Sequence, residues 1–269
     1  MQYKFGRMKR FSTFQLVFIA LGSLVLLFVI APLAGMFFST PIADVVESAK
    51  DKEVIDSIQL TLWTAMLATV LFSFAAVPLA YVMARKDFLF KRLILGIIDL
   101  PVVIPHTAAG IAILGFVSRD TTLGKIADYF GLSFVGGQGG IVLAMAFVSV
   151  PILFNAARDG FMAVPVRLEK AALNLGASPF KVFFSISLPL AWRSVVSGAI
   201  MMFARGMSEF GAVVIIAYHP MITPILIYER FGAFGLKYAQ SVSVVFILVC
   251  LVFFILMRLL SKEKKYAES

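Results

Sequence analysis

Four ionisable residues stand inside otherwise apolar runs, where a charge is costly and marks either function or a compensating partner. Arg205 and Glu209 are four positions apart, so a helix would put them one turn apart on one face. A cation there could draw an anion along a pathway. The neighbouring carboxylate could instead cancel that field and leave a neutral pair that stitches helices together, and this cancellation favours the stitch. Asp99 lies early in another apolar run, where it could bind a neighbouring helix or shape an inner gate. His106 follows Pro101 and Pro105 in that run. Two prolines four apart free carbonyls and bend a helix, giving a pore-shaping kink or an ordinary packed one.

Other chemistries find no residues. The sequence contains neither G-x-x-x-x-G-K-[ST] nor H-E-x-x-H, so it has no phosphate-binding loop or zinc-protease helix of its own. His106 and His219 fall on different segments, and a metal site from them alone is not expected. The Gly136-Gly137-Gln138-Gly139-Gly140 cluster has no strand before it and reads as loop punctuation at the mouth of a span. Cys250 is the single cysteine, which excludes an internal disulfide and reads as a buried, inert thiol. No nucleophile–base pair is evident, so the chain is not expected to be an enzyme.

The elements that hold these residues follow from composition. Of 269 residues, 61% are hydrophobic and 14% charged, against roughly half and a quarter in a soluble domain. The mean hydropathy is +0.96. A water-soluble chain of this size has too little interior for 27 Phe and this much aliphatic surface. An all-α integral membrane protein is expected, since nothing alternates like barrel strands. About 20 apolar residues cross a bilayer as a helix. Six segments qualify: Phe14–Phe38, Ser57–Ala84, Leu93–Ser118, Gln138–Ala157, Ser194–Ala217 and Tyr238–Met257. The first is too long for a signal peptide's apolar region and reads as a retained anchor. The stretch from His219 to Leu236, broken by Pro220, Pro224, Gly232 and Gly235, is too short to span and reads as re-entrant or interfacial.

Basic residues set the orientation. Lys4, Arg7, Lys9 and Arg10 precede the first span, and Arg85, Lys86, Lys91 and Arg92 lie between the second and third. Arg158, Arg167, Lys170, Lys181 and Arg193 fill the fourth loop, and Arg258, Lys262, Lys264 and Lys265 the C-terminus. Both termini and the fourth loop are therefore expected in the cytoplasm. The net charge of +9 is topology rather than a nucleic-acid footprint. The first external loop is acidic, with Asp44, Glu47, Asp51, Glu53 and Asp56 against two lysines. No internal repeat or low-complexity linker divides the chain, so one transmembrane domain over 1–269 is expected.

The fourth loop carries the longest ordered pattern. Leu168 to Leu175 reads as a short helix ended by Gly176, and Ser178-Pro179 as the cap and first residue of a second, closed by Pro189. This helix–Gly–helix elbow resembles the cytoplasmic coupling loop of permease subunits in ATP-binding-cassette importers. Their pattern is E-A-A, three residues, G, nine residues, I-x-L-P. Ala171, Ala172, Gly176, Ile186, Leu188 and Pro189 fit it. Lys170 occupies the glutamate position, with Glu169 one residue earlier. The stretches Leu100–Gly110, Gly140–Pro151, Phe203–Val214 and Thr223–Tyr228 resemble the sulfate and molybdate/tungstate branch, and the short six-span chain is more similar to the molybdate/tungstate members.

The resemblance implies a type I importer-like permease in a prokaryotic cell membrane. It also implies a second copy of the chain, two ATPase subunits that bind ATP and Mg, and an external oxyanion-binding protein. The coupling loop would cover about residues 159–191, with Glu169, Lys170, Ala171, Ala172, Gly176, Ile186, Leu188 and Pro189 as the ATPase contacts. No cofactor is expected in this chain. The nearest alternative is a sulfate or thiosulfate importer. A stand-alone secondary transporter would need its own coupling carboxylates near the midplane, and Glu209 alone is placed for that.

Overall fold

The computed structural model describes residues 12–129, 131 and 133–260, with side chains to residue 257. The basic residues Lys4, Arg7, Lys9, Arg10, Lys262, Lys264 and Lys265 lie outside them, as does the side chain of Arg258. The described chain is helical, in the order α1 (Thr13–Ser39), α2 (Ile42–Lys50), α3 (Lys52–Arg85), α4 (Lys91–Val103), α5 (His106–Val117), α6 (Thr122–Tyr129) and α7 (Gln138–Ala163). There follow α8 (Val166–Asn174), α9 (Pro179–Val182), a π-helical turn (Phe183–Ser187), α10 (Leu188–Met207), α11 (Val213–Ile216), α12 (Thr223–Phe234) and α13 (Leu236–Leu260). Among the described residues five helical segments are long and apolar enough to cross a membrane, and α4 with α5 give a sixth if the bent pair is one span.

The core is built where α3, α7 and α10 cross, and small residues make it possible. In lipid, helices gain little from hiding apolar area, so close packing through glycine, alanine and serine takes over. A Cβ on Gly198 would lie 2.7 Å from that of Ala156, and one on Gly160 would overlap the Cβ of Ser194. Ala65, Ala68, Ala144 and Ala157 line the same seams and are fully enclosed. At the periphery, α1 buries none of its residues.

Two expected spans take another form. The run Leu93–Ser118 is no single helix: α4 and α5 meet at 113° across Ile104-Pro105. Pro105 has no N–H to continue α4 and disfavours helical backbone at Ile104, which is extended with ψ 149°. The expected span Ser194–Ala217 is displaced toward the N-terminus. A continuous helical segment runs Pro179–Met207, and the chain then turns at Ser208. Pro189 does not close the elbow's second helix. The wider π turn, in which the Leu188 N–H reaches the Phe183 carbonyl, carries the helix into α10 with Pro189 in its first turn. The interrupted stretch after the fifth span holds α12. Its start meets α3 through Thr223, Ser57 and Thr61, and Arg230 on its last turns meets Asp51 and Glu53 at the head of α3.

Candidate functional site

The elbow projects from the end of the bundle and is shaped by its caps. Helix α8 ends with Gly176 at φ +85°, the left-handed conformation that glycine adopts without penalty. The N–H of Gly176 reaches the Leu173 carbonyl and that of Ala177 the Ala172 carbonyl, each at 3.0 Å, which closes the helix end. Ser178 Oγ then accepts the Lys181 N–H at 3.3 Å, with Pro179 opening α9. The outer surface carries Leu175 at 89% and Phe180 at 74% exposure, beside exposed Lys170, Ala171 and Leu173. Ala172, Ile186 and Leu188 are half-buried and Pro189 is exposed.

Glu169 faces the other way. It is buried, and Arg85 at the end of α3 holds it through Nε at 2.9 and 3.0 Å and Nη2 at 2.7 Å. Ser187 Oγ in the π turn donates at 2.7 Å, and the Tyr81 hydroxyl at 3.4 Å. Arg85 Nη2 also donates to the Val164 carbonyl at the end of α7, at 3.0 Å. The Tyr81 ring packs edge-on against Phe161 and Phe183. Burial disfavours the Glu169 carboxylate, but Arg85 and Ser187 outweigh it and hold the carboxyl below the usual glutamate range. Four elements thus meet at the Glu169–Arg85 pair: α8, α3, the end of α7 and the π turn. Arg85 and Ser187 were not singled out in the sequence. Their signal is Glu169 itself, the one acid between Val164 and Pro189, which needs a cation if it is to be buried.

A second cluster sits within the bundle. Glu209, just beyond α10, is completely enclosed, and its Oε2 lies 3.0 Å from both Arg205 Nη2 and His106 Nδ1. Its Oε1 accepts the Ala212 N–H at 2.9 Å. Arg205 Nη2 also approaches the His106 ring nitrogens at 2.9 and 3.0 Å. Asp99 does not join them: it accepts from Asn155 Nδ2 of α7 at 2.6 Å.

A third group ties the external ends. Arg230 binds Asp51 at 2.7 Å and Glu53 at 2.6 Å, and Lys237 binds Asp44 at 3.0 Å. Burial works against the Asp51 carboxylate, but Arg230 outweighs it and holds the carboxyl below its usual range.

Residues 76–266 match the family described as binding-protein-dependent transport system inner membrane component. The chain is 39% identical over 250 residues to the molybdate/tungstate transport system permease protein WtpB of Thermococcus kodakarensis, covering 92% of this chain and 96% of that one. It is 30% identical over 228 residues to the sulfate transport system permease protein CysT of Synechococcus elongatus, covering 82% of each. Its fold superposes with TM-score 0.72 and 17% identity on a bacterial ABC transporter involved in import of the acidic polysaccharide alginate, over 93% of this chain and 96% of that one.

Proposed function

This chain belongs to the inner-membrane components of binding-protein-dependent transport systems, and we propose that it forms the translocation path of an ATP-driven importer for molybdate or tungstate. The observation that carries the coupling role is the elbow. It offers apolar Leu175 and Phe180 outward while Glu169 fixes its back to the bundle. The substrate class follows the relatives: identity to a molybdate/tungstate permease exceeds that to a sulfate permease.

In this reading two copies share one path, and each elbow seats in a cleft of an ATPase subunit. That partner holds ATP and Mg; this chain supplies the path and the lever. Lys170, Ala171, Leu173, Leu175 and Phe180 make the outward contact. Glu169 is the strut behind them, passing displacement of α8 to α3 through Arg85 and to α10 through Ser187. Closure of the ATPase pair draws the elbows together and turns the path outward. A binding protein then delivers the anion from the external side and supplies most of the selectivity.

The test is ATP-dependent uptake of labelled molybdate by the importer reconstituted with its ATPase and binding protein. Tungstate should compete and sulfate should not. Equal competition by sulfate would make this a sulfate permease, and uptake independent of ATP would overturn the importer reading.

A further inference from the structure

We propose that Arg205 and His106 form an oxyanion-contact station on the translocation path, with Glu209 as a buried counter-ion that keeps the contact brief. The proposal rests on the oxyanion-importer reading and names the residues that meet the cargo.

Depth comes first. Gly206, beside Arg205, packs against Ala65 of α3 and Met145 of α7: a Cβ there would lie 3.6 and 3.7 Å from theirs. At 1.5 Å per residue, Met145 is about 20 Å along α7 from Arg158 toward the inner end. Ala65 is about 13 Å along α3 from Asp56 toward the outer end. The cluster therefore lies in the outer half of the spanning region, away from either charged rim.

Glu209 is 0% exposed, while the Arg205 and His106 side chains are 28% and 34% exposed. A guanidinium left open at this depth cannot face lipid and must face an aqueous path or another protein surface. The carboxylate is pinned behind by the Ala212 N–H, so the open side of the cluster presents its cationic edge. Ser208, exposed beside it, accepts from Arg205 Nη1 at 3.3 Å and adds a hydroxyl to that edge.

The broken span brings a helix end to the cluster. His106 is the first residue of α5, directly after the 113° bend. The positive end of a half-helix at membrane depth favours an anion, and here it meets a cationic side chain. The chain is shaped for this meeting. A Cβ on Gly211 would come within 2.7 Å of the His106 Cβ, and one on Gly110 within 2.8 Å of the Ala212 carbonyl.

Glu209 cancels the formal charge of Arg205, and for transport that is useful. A bare arginine would hold a dianion; a neutralised one attracts it at short range and releases it.

The test uses the complete importer in phosphatidylcholine vesicles, with Cys250→Ser removing the native thiol and His106→Cys placing a probe. The anionic thiol reagent MTSES should label Cys250→Ser/His106→Cys, and millimolar sodium molybdate should slow labelling severalfold while sodium chloride of equal ionic strength does not. The lipid phosphate is the same in every arm, so protection by molybdate reports the free oxyanion. No labelling, or labelling indifferent to molybdate, overturns the station. In parallel, Arg205→Gln/Glu209→Gln removes both charges together. Once shown to co-purify with the ATPase, it should take up molybdate about tenfold more slowly, as expected for loss of a charge-assisted hydrogen bond. Wild-type uptake by that variant would leave the cluster a mere stitch. Failure of the unmodified importer to move any oxyanion would instead overturn the function on which the station rests.

Discussion

Glu169 of the elbow and Arg85 at the end of α3 stand 84 positions apart and are joined by three hydrogen bonds of 2.7 to 3.0 Å. Both side chains are almost entirely removed from solvent. The elbow is thereby fastened to the bundle at the point where a lever needs a fulcrum, and the carboxylate is not offered to a partner.

Breaking one side of a buried pair costs more than removing both, because the survivor keeps its charge without compensation. Arg85→Met should lower the stability of the detergent-solubilised chain by about 3 kcal/mol. Arg85→Met with Glu169→Met should recover much of that. Thermal unfolding of the two single variants and the double one measures the coupling; additive losses would contradict the brace.

The same pair sets an acid limb. Burial raises the Glu169 pKa, but Arg85 and Ser187 outweigh it, so the folded value lies below the unfolded one. Such a group stabilises the fold above its unfolded pKa, about 4.3 for glutamate, and loses that contribution as pH falls through the lower folded value. Unfolding temperature should therefore hold from neutral pH to about 5 and fall below about 4. Glu169→Gln should start lower and show a shallower acid limb; an unchanged limb would contradict this.

The crossing of α7 and α10 predicts a steric outcome. A methyl on Gly160 would occupy the space of the Ser194 Cβ, whereas one on Gly22 of α1 would meet nothing within 4 Å. Gly160→Ala should destabilise by about 1–3 kcal/mol, the usual cost of overpacking. Gly22→Ala should be neutral, and Ser194→Gly should rescue Gly160→Ala. Absence of rescue in the unfolding temperatures would place the damage elsewhere.

Hydropathy and punctuation made much of this legible. Long apolar runs marked the spans because lipid demands them, and Gly176 with Ser178-Pro179 marked the elbow because local capping decides those turns. What failed to show depended on distant contacts. Pro101 and Pro105 foretold a bend but carry no angle. Nothing at Ser208 announces a helix end, since the residues beyond Glu209 stay apolar, and the Glu209 side chain takes the Ala212 N–H, a contact that hydropathy does not show. His106 could not be joined to Arg205, 99 positions away, without the fold. Lys170 stands where the importer pattern has glutamate, and the position alone did not reveal that Glu169 turns inward.

That inward turn predicts the charge of the docking cleft. With Glu169 buried, the exposed charges of the elbow are Arg167, Lys170 and Lys181. An acidic cleft is the complement, so Lys170→Glu should weaken ATPase association by about 1 kcal/mol, a typical exposed-pair contribution. Raising salt should narrow the difference from wild type. Tighter association in Lys170→Glu, measured by titrating the solubilised partners, would reverse the assignment.

Docking of the elbow on the ATPase is tested more cleanly at Leu175 than at Gly176. Any side chain at Gly176 strains a backbone held at φ +85°, so its effect mixes folding with docking. Leu175 is 89% exposed and touches little of its own chain. The deciding measurement is co-purification of the ATPase with tagged wild-type chain and with Leu175→Glu from gently solubilised native membranes, both shown to unfold at the same temperature. An ATPase held by wild type and lost from Leu175→Glu is expected. An ATPase retained equally by both, or held by neither, would contradict that docking.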